Sequence, residues 1–170
     1  MAPPKAQTLQ ERFGFQDDDL KLTTHDDIMY WVHANIDTIV TELFGEWAQK
    51  QWDASGRDGI MPALKVTGVD WEYPISTKTG FTVGFADMLV WAPLWGYVTS
   101  PRGRNMFQVL YVYFEIKTKL PTAGELLRQI RLYQSHTEPE YAWVVVCPDD
   151  RHAAILKDQG IYFYKSPVGS

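Results

Sequence analysis

From Ile28 onward apolar side chains recur at 28, 31, 32, 36, 39, 40, 43, 44 and 47, the 3.6-residue period of an amphipathic helix. Thr24 with Asp27 three residues on reads as an N-cap, and Asp26 and Asp27 suit the positive end of the helix dipole. The helix is expected to run to about Lys50, with Gly56 and Gly59 punctuating the loop beyond. The period then falls to two. Strands are expected over 64–71, 82–91 and 107–119, with Tyr73-Pro74 and Lys78-Thr79-Gly80 marking a turn. Between the last two strands, 94–106 holds Gly96, Ser100-Pro101 and Arg102-Gly103-Arg104 and reads as a protruding hairpin or loop. Pro121-Thr122 with Glu125 forms a capping box for a second helix over 123–135. Residues 141–146 are a short, wholly apolar run, as expected of a central strand buried on both faces. A short helix over 150–157 stops at Gly160, and 161–164 makes a last strand. The order αβββαβαβ predicts an α/β fold with a mixed central sheet flanked by helices.

At 170 residues, 45% of them apolar, the chain can bury one hydrophobic core. Residues 1–22 are polar, carry Asp17-Asp18-Asp19 and read as an N-terminal arm, which leaves 23–170 as a single domain. A lone cysteine, Cys147, excludes a disulfide framework and any iron–sulfur cluster that needs several thiolates. It falls at the end of an apolar strand, where an inert core thiol is expected. Residues 1–10 hold no apolar run, and the longest apolar stretch, 88–95, is interrupted by Pro93, so a cytoplasmic protein without membrane contact is the expectation. The net charge of −5 argues against a generally basic nucleic-acid coat. Walker and dinucleotide glycine loops and a Gly-x-Ser-x-Gly elbow are absent from the sequence.

The informative residues are charges on apolar strands. Asp87 interrupts the run from Gly84 to Trp91, and Glu115 and Lys117 end the run that begins at Val109. Alternation puts Glu115 and Lys117 on one face, with Phe114 and Ile116 on the other. A carboxylate at a half-buried strand position is costly unless it is paired or binds a metal. Two carboxylates from adjacent strands beside a lysine would make a hard oxygen site for Mg²⁺. Taken singly, Glu-x-Lys is also an ordinary solvated edge, and Asp87 an ordinary turn cap. On the second helix Gln129 and Tyr133, at i and i+4, share a face.

The string Gly84-Phe85-Ala86-Asp87, Phe114-Glu115-Ile116-Lys117 and Gln129-Ile130-Arg131-Leu132-Tyr133 resembles the motifs of the RecB-like branch of the PD-(D/E)XK nuclease superfamily, in order and on the expected elements. The resemblance covers about 28–164 by element order and some ten positions by identity, and implies a restriction-endonuclease-like core. It implies a divalent metal, Mg²⁺ or Mn²⁺, held by Asp87, Glu115 and the Ile116 carbonyl. Lys117 would orient the attacking water, and Gln129 and Tyr133 would steady the lysine or contact the substrate strand. An acid or histidine of the first helix usually completes such a site: Glu46 is the first choice because it lies within the apolar stripe, Glu42 the second. His33 is less well placed, and His25 is assigned to the helix start. The proline that often precedes the aspartate is absent, and the interval from Asp87 to Glu115 is long.

Charge distribution points to the same partner. Six cations, Arg102, Arg104, Lys117, Lys119, Arg128 and Arg131, face two carboxylates within 102–131, so this zone carries +4 and the rest of the chain −9. Arg102, Arg104, Lys119, Arg128 and Arg131 are the expected DNA contacts, with Trp91, Trp95 or Tyr97 near for base stacking. The function expected is a metal-dependent deoxyribonuclease, end- or structure-directed, acting as a homodimer or within a DNA-processing complex. The alternative is a catalytically inactive nuclease-fold module that binds nucleic acid or a protein; an RNase is a third possibility.

Overall fold

The computed structural model describes residues 24–56, 58–99 and 105–169, and of residues 95–99 and 105–107 the backbone alone. The elements are α1 (Thr24–Ala34), α2 (Ile36–Ala54), β1 (Gly68–Ser76), β2 (Thr82–Thr99), β3 (Asn105–Ile116), α3 (Ala123–Gln134), β4 (Ala142–Cys147), α4 (Ala153–Asp158) and β5 (Tyr162–Lys165). Five strands form one sheet in chain order. β1, β2 and β3 are antiparallel, whereas β3, β4 and β5 run parallel, so the sheet is mixed. The parallel half needs crossover connections, which α3 and α4 supply. The fold is α/β with helices on both faces. α1 and α2 bury Ile28, Met29, Val32, Ile39, Val40 and Phe44 against one face; α3 and α4 bury Leu126, Ile130, Tyr133 and Leu156 against the other. Among the described residues no helix is long and apolar enough to cross a membrane.

Several boundaries differ from the sequence expectation; β3, for one, ends at Ile116 rather than at 119. The first helix is two, split at Asn35, whose side-chain Nδ2 donates to the Trp31 carbonyl at 2.8 Å. Such local bonds compete with the helix ladder, yet the apolar rhythm runs on because both segments pack on one cluster. β1 begins four residues later than expected and contains Tyr73-Pro74, which had suggested a turn. Pro74 pairs with Phe85 on an edge strand, where a missing N–H is tolerated. The expectation of a hairpin or loop over 94–106 is met on its hairpin side as far as the described residues go, with β2 and β3 paired up to Thr99↔Asn105 after a register shift between Pro93 and Tyr97. The N-terminal arm, 1–22, lies outside the described residues, as do Arg102 and Arg104.

The capping box of α3 is present in full. Thr122 Oγ1 accepts from the Glu125 N–H at 3.3 Å, and the Glu125 carboxylate accepts from the Thr122 N–H at 3.0 Å. The Thr122 hydroxyl also donates to that carboxylate at 2.7 Å, and this bond first, with the Thr122 N–H second, holds the Glu125 carboxyl below the usual range. A depressed carboxyl stabilises the fold above its unfolded value, and that stabilisation is lost as pH falls through the folded one. Thr122→Ala should therefore cost about 1 kcal/mol in urea denaturation at pH 7, and the difference from the parent protein should shrink on acidification below the carboxylate range.

Candidate active site

β2 and β3 pair through Met88↔Phe114 and then part. At this fork the side chain of Asp87 takes the place of a backbone acceptor: its Oδ2 receives the Ile116 N–H at 2.7 Å. Continuing the register sets Asp87 opposite Glu115, so the two carboxylates flank the Glu115–Ile116 peptide. Both are buried, each 3% exposed. Burial of an ionised carboxylate costs several kcal/mol unless donors replace the lost water. For Glu115 the donors come from two directions. Lys117 Nζ reaches Oε1 at 2.6 Å, and Gln129 Nε2 reaches the same oxygen at 2.8 Å. The Lys117 N–H is tied to the Val146 carbonyl at 2.9 Å, which anchors the lysine on β4. Gln129 in turn donates to the Tyr133 hydroxyl at 3.4 Å, one helical turn on.

The first motif closes onto the third. A Cβ added to Gly84 would stand 2.4–2.8 Å from the Tyr133 hydroxyl and ring. Only glycine lets the aromatic ring lie on the β2 backbone here. Gly84, Asp87, Glu115, Lys117, Gln129 and Tyr133, spread over fifty residues of chain, thus form one linked cluster.

The first-helix contribution differs from the expectation. Glu46 is exposed on α2, and Glu42 accepts the Tyr164 hydroxyl at 2.6 Å. That stretch of α2 lies over β5, as the Phe44–Tyr162 ring contact at 4.5 Å also shows, and neither acid joins the fork. His33 packs on Trp71, ring centroids 5.1 Å apart. It is His25, in the first turn of α1, that reaches the cluster: its Nε2 lies 3.4 Å from Asp87 Oδ1, and its Nδ1 4.0 Å from buried Asp26. The imidazole thus stands between two buried carboxylates, with Asp87 the nearer. Thr24, expected as the N-cap, lies within α1; which end of the sheet that first turn overhangs is a tertiary fact.

Among the described residues no three His, Cys, Asp or Glu side chains are grouped to hold an ion. Mg²⁺ asks for less, since it is usually bound by one or two carboxylates together with water and substrate phosphate. Two buried carboxylates beside a main-chain carbonyl supply hard oxygen donors of that kind, so the residues fit the ion in chemistry. Cys147 is buried, and burial pushes its thiol upward, as suits an inert core residue.

The cationic surface is thinner than the sequence suggested. Lys119 and Arg128 are exposed. Arg131 is engaged elsewhere, donating to the Gln134 side chain at 2.8 Å and to Gln159 at 3.0 Å, which braces α3 against the end of α4. The Trp91 indole lies against Gly68, where a Cβ would meet it at 1.9 Å, and packs on the second cluster. The side chains of Trp95 and Tyr97 lie outside the described residues.

Gly84→Ala should destabilise the protein by about 2 kcal/mol or more through overpacking against Tyr133. Combined with Tyr133→Ala, the two losses should sum to less than their separate values, because the second change removes the ring that the first one strikes. Urea denaturation of the two single variants and the double variant measures this coupling. No protein-family model matches the chain, and neither a curated protein nor a solved structure matches it, so the chemistry has to be read from the side chains themselves.

Proposed function

We propose that the protein is a metal-dependent deoxyribonuclease with a restriction-endonuclease-like core of the PD-(D/E)XK type. One observation carries this reading: Lys117 and Gln129 meet on a single oxygen of buried Glu115, while Asp87 is bonded to the very next peptide. A chain selected only to fold gains little from two buried carboxylates, which apolar side chains of similar volume replace at no loss of stability.

Asp87, Glu115 and the Ile116 carbonyl would hold Mg²⁺ or Mn²⁺, and His25 stands where a first-helix residue would complete the set. When bound, the ion lowers the pKa of a coordinated water and polarises the scissile phosphodiester. Lys117, with 24% of its side chain exposed, can turn its ammonium from Glu115 toward a water or a phosphate oxygen, orienting the nucleophile and offsetting charge that builds in the transition state. Gln129 keeps Glu115 aligned while the lysine does so. Tyr133, 8% exposed, props Gln129 and the β2 backbone at Gly84 rather than touching a substrate strand. Exposed Lys119 and Arg128 would steer phosphates toward the fork; Arg102 and Arg104, also expected contacts, lie outside the described residues. Of the cleavage modes open to such a site, end- or structure-directed cleavage is the one proposed. Action as a homodimer, or within a larger DNA-processing complex, is compatible with this chemistry.

Labelled single-stranded, duplex and branched DNA, incubated with the protein and Mg²⁺ or Mn²⁺, tests the proposal. Cleavage is expected, abolished by a chelator and reduced about 100-fold or more by Asp87→Asn or Lys117→Ala. No cleavage of any substrate, or equal rates for the Lys117→Ala variant, would overturn it. Metal-independent DNA binding without cleavage would favour the inactive-module alternative.

A further inference from the structure

Glu72 is, among the described residues, the non-glycine with a positive φ, +50°. Side chains other than glycine, asparagine and aspartate are rarely held there. Its place in the sheet shows what the conformation does. On β1, Val69 and Trp71 pack on the α1/α2 side, but Tyr73 and Ile75 pack on the α3/α4 side. On β2, Met88, Val90 and Ala92 belong to the first cluster and Ala86 to the second. Strict alternation would have kept each of these odd or even sets on one face. Both strands slip by one residue at the same level: Trp71↔Met88 and Tyr73↔Ala86 pair without offset, and the pair between them, Glu72 and Asp87, drops out of the ladder. β3 shows no slip, since Leu110, Val112, Phe114 and Ile116 all face the first cluster. The Glu72 carboxylate makes no hydrogen bond or ion pair among the described residues, so its backbone, not its side chain, is what the fold uses.

We propose that Glu72 is a positioning residue, whose left-handed backbone lets β1 and β2 exchange faces together and so delivers the Asp87 carboxylate to the Ile116 N–H. Its bearing on catalysis rests on the nuclease reading; its effect on Asp87 does not. Without the slip, Asp87 would follow the alternation of Leu89 and Trp91 and project squarely onto the α3 side. With it, the carboxylate leaves at the fork, within reach of both the Ile116 peptide and His25.

The test compares Glu72→Gly, Glu72→Asn and Glu72→Val in the full chain. Amide hydrogen exchange at Ile116 is read by NMR against the Lys117 amide, which bonds to Val146 and serves as an internal control for overall stability. Glycine and asparagine accept the left-handed region and should leave both the Ile116 amide and Mn²⁺-dependent cleavage at parental values. Valine, β-branched and excluded from that region, should speed Ile116 exchange at least tenfold relative to Lys117 and lower kcat by a similar factor with KM nearly unchanged. Should the valine variant not fold, Glu72→Ala replaces it, with a smaller effect of the same sign. Ile116 protection unchanged in the valine or alanine variant would overturn the inference. So would loss of cleavage in Glu72→Gly, which would mean that the carboxylate acts directly. If the parent protein cleaves no DNA while the exchange pattern holds, the nuclease reading fails and the positioning role stands.

Discussion

The Glu115–Ile116 peptide, with a buried carboxylate on either side of it, is the constraint around which the sheet is organised. β3 is the strand that both halves of the sheet share, antiparallel to β2 and parallel to β4. Where β2 leaves it, two backbone groups would otherwise lose their partners, and an unpaired buried N–H costs as much as a lost hydrogen bond. Asp87 satisfies one of them with a charge. Lys117 and Gln129 then compensate the second charge on Glu115. Desolvation of each buried carboxylate costs several kcal/mol, which its ion pair and hydrogen bonds offset only in part. The cluster is therefore a net cost to folding, met by the two apolar layers around it.

Those layers explain why the site sits at this end of the sheet. α1 brings His25 from one face, α3 brings Gln129 and Tyr133 from the other, and the fork is where side chains of both faces reach one stretch of backbone. Elsewhere the sheet separates the two clusters completely. The edge strand β1 takes part without supplying a contact, by changing the face on which its side chains lie at Glu72.

What the sequence made legible was local. The capping box of α3, the run of β4, buried from Trp143 onward, and the turn at Gly80 each depend on neighbours within four residues, and each is within a residue of where the pattern placed it. The coarse fold followed, because alternating strand and helix signals leave few ways to layer a mixed sheet. The association of Asp87, Glu115, Lys117, Gln129 and Tyr133 was legible through the resemblance of their motifs to those of the nuclease superfamily. His25 was not, since a helix of uninterrupted apolar rhythm hides its break at Asn35, and the position of its first turn over the sheet depends on that break. Glu46 looked suitable for the complementary reason: it shares a stripe with core residues, but those residues pack toward β5. The slip at Glu72 is invisible to periodicity, because Trp71 and Tyr73 look like ordinary alternation whichever faces they occupy.

Stability and site geometry draw on the same contacts. Tyr133 is both a core side chain of the second layer and the prop beneath Gln129; Gly84 is both a β2 residue and the seat of the Tyr133 ring. A disturbance of that packing moves Gln129, and through it the oxygen that Lys117 also holds. Lys117 has little freedom to compensate, because its own N–H is bound to β4. The ammonium can swing, but the point from which it swings is set by the parallel register of β3 and β4. Of the whole cluster, then, the half-buried lysine head group, 24% exposed, is the element with room to move, and the contacts around it hold its origin and its carboxylate partner still.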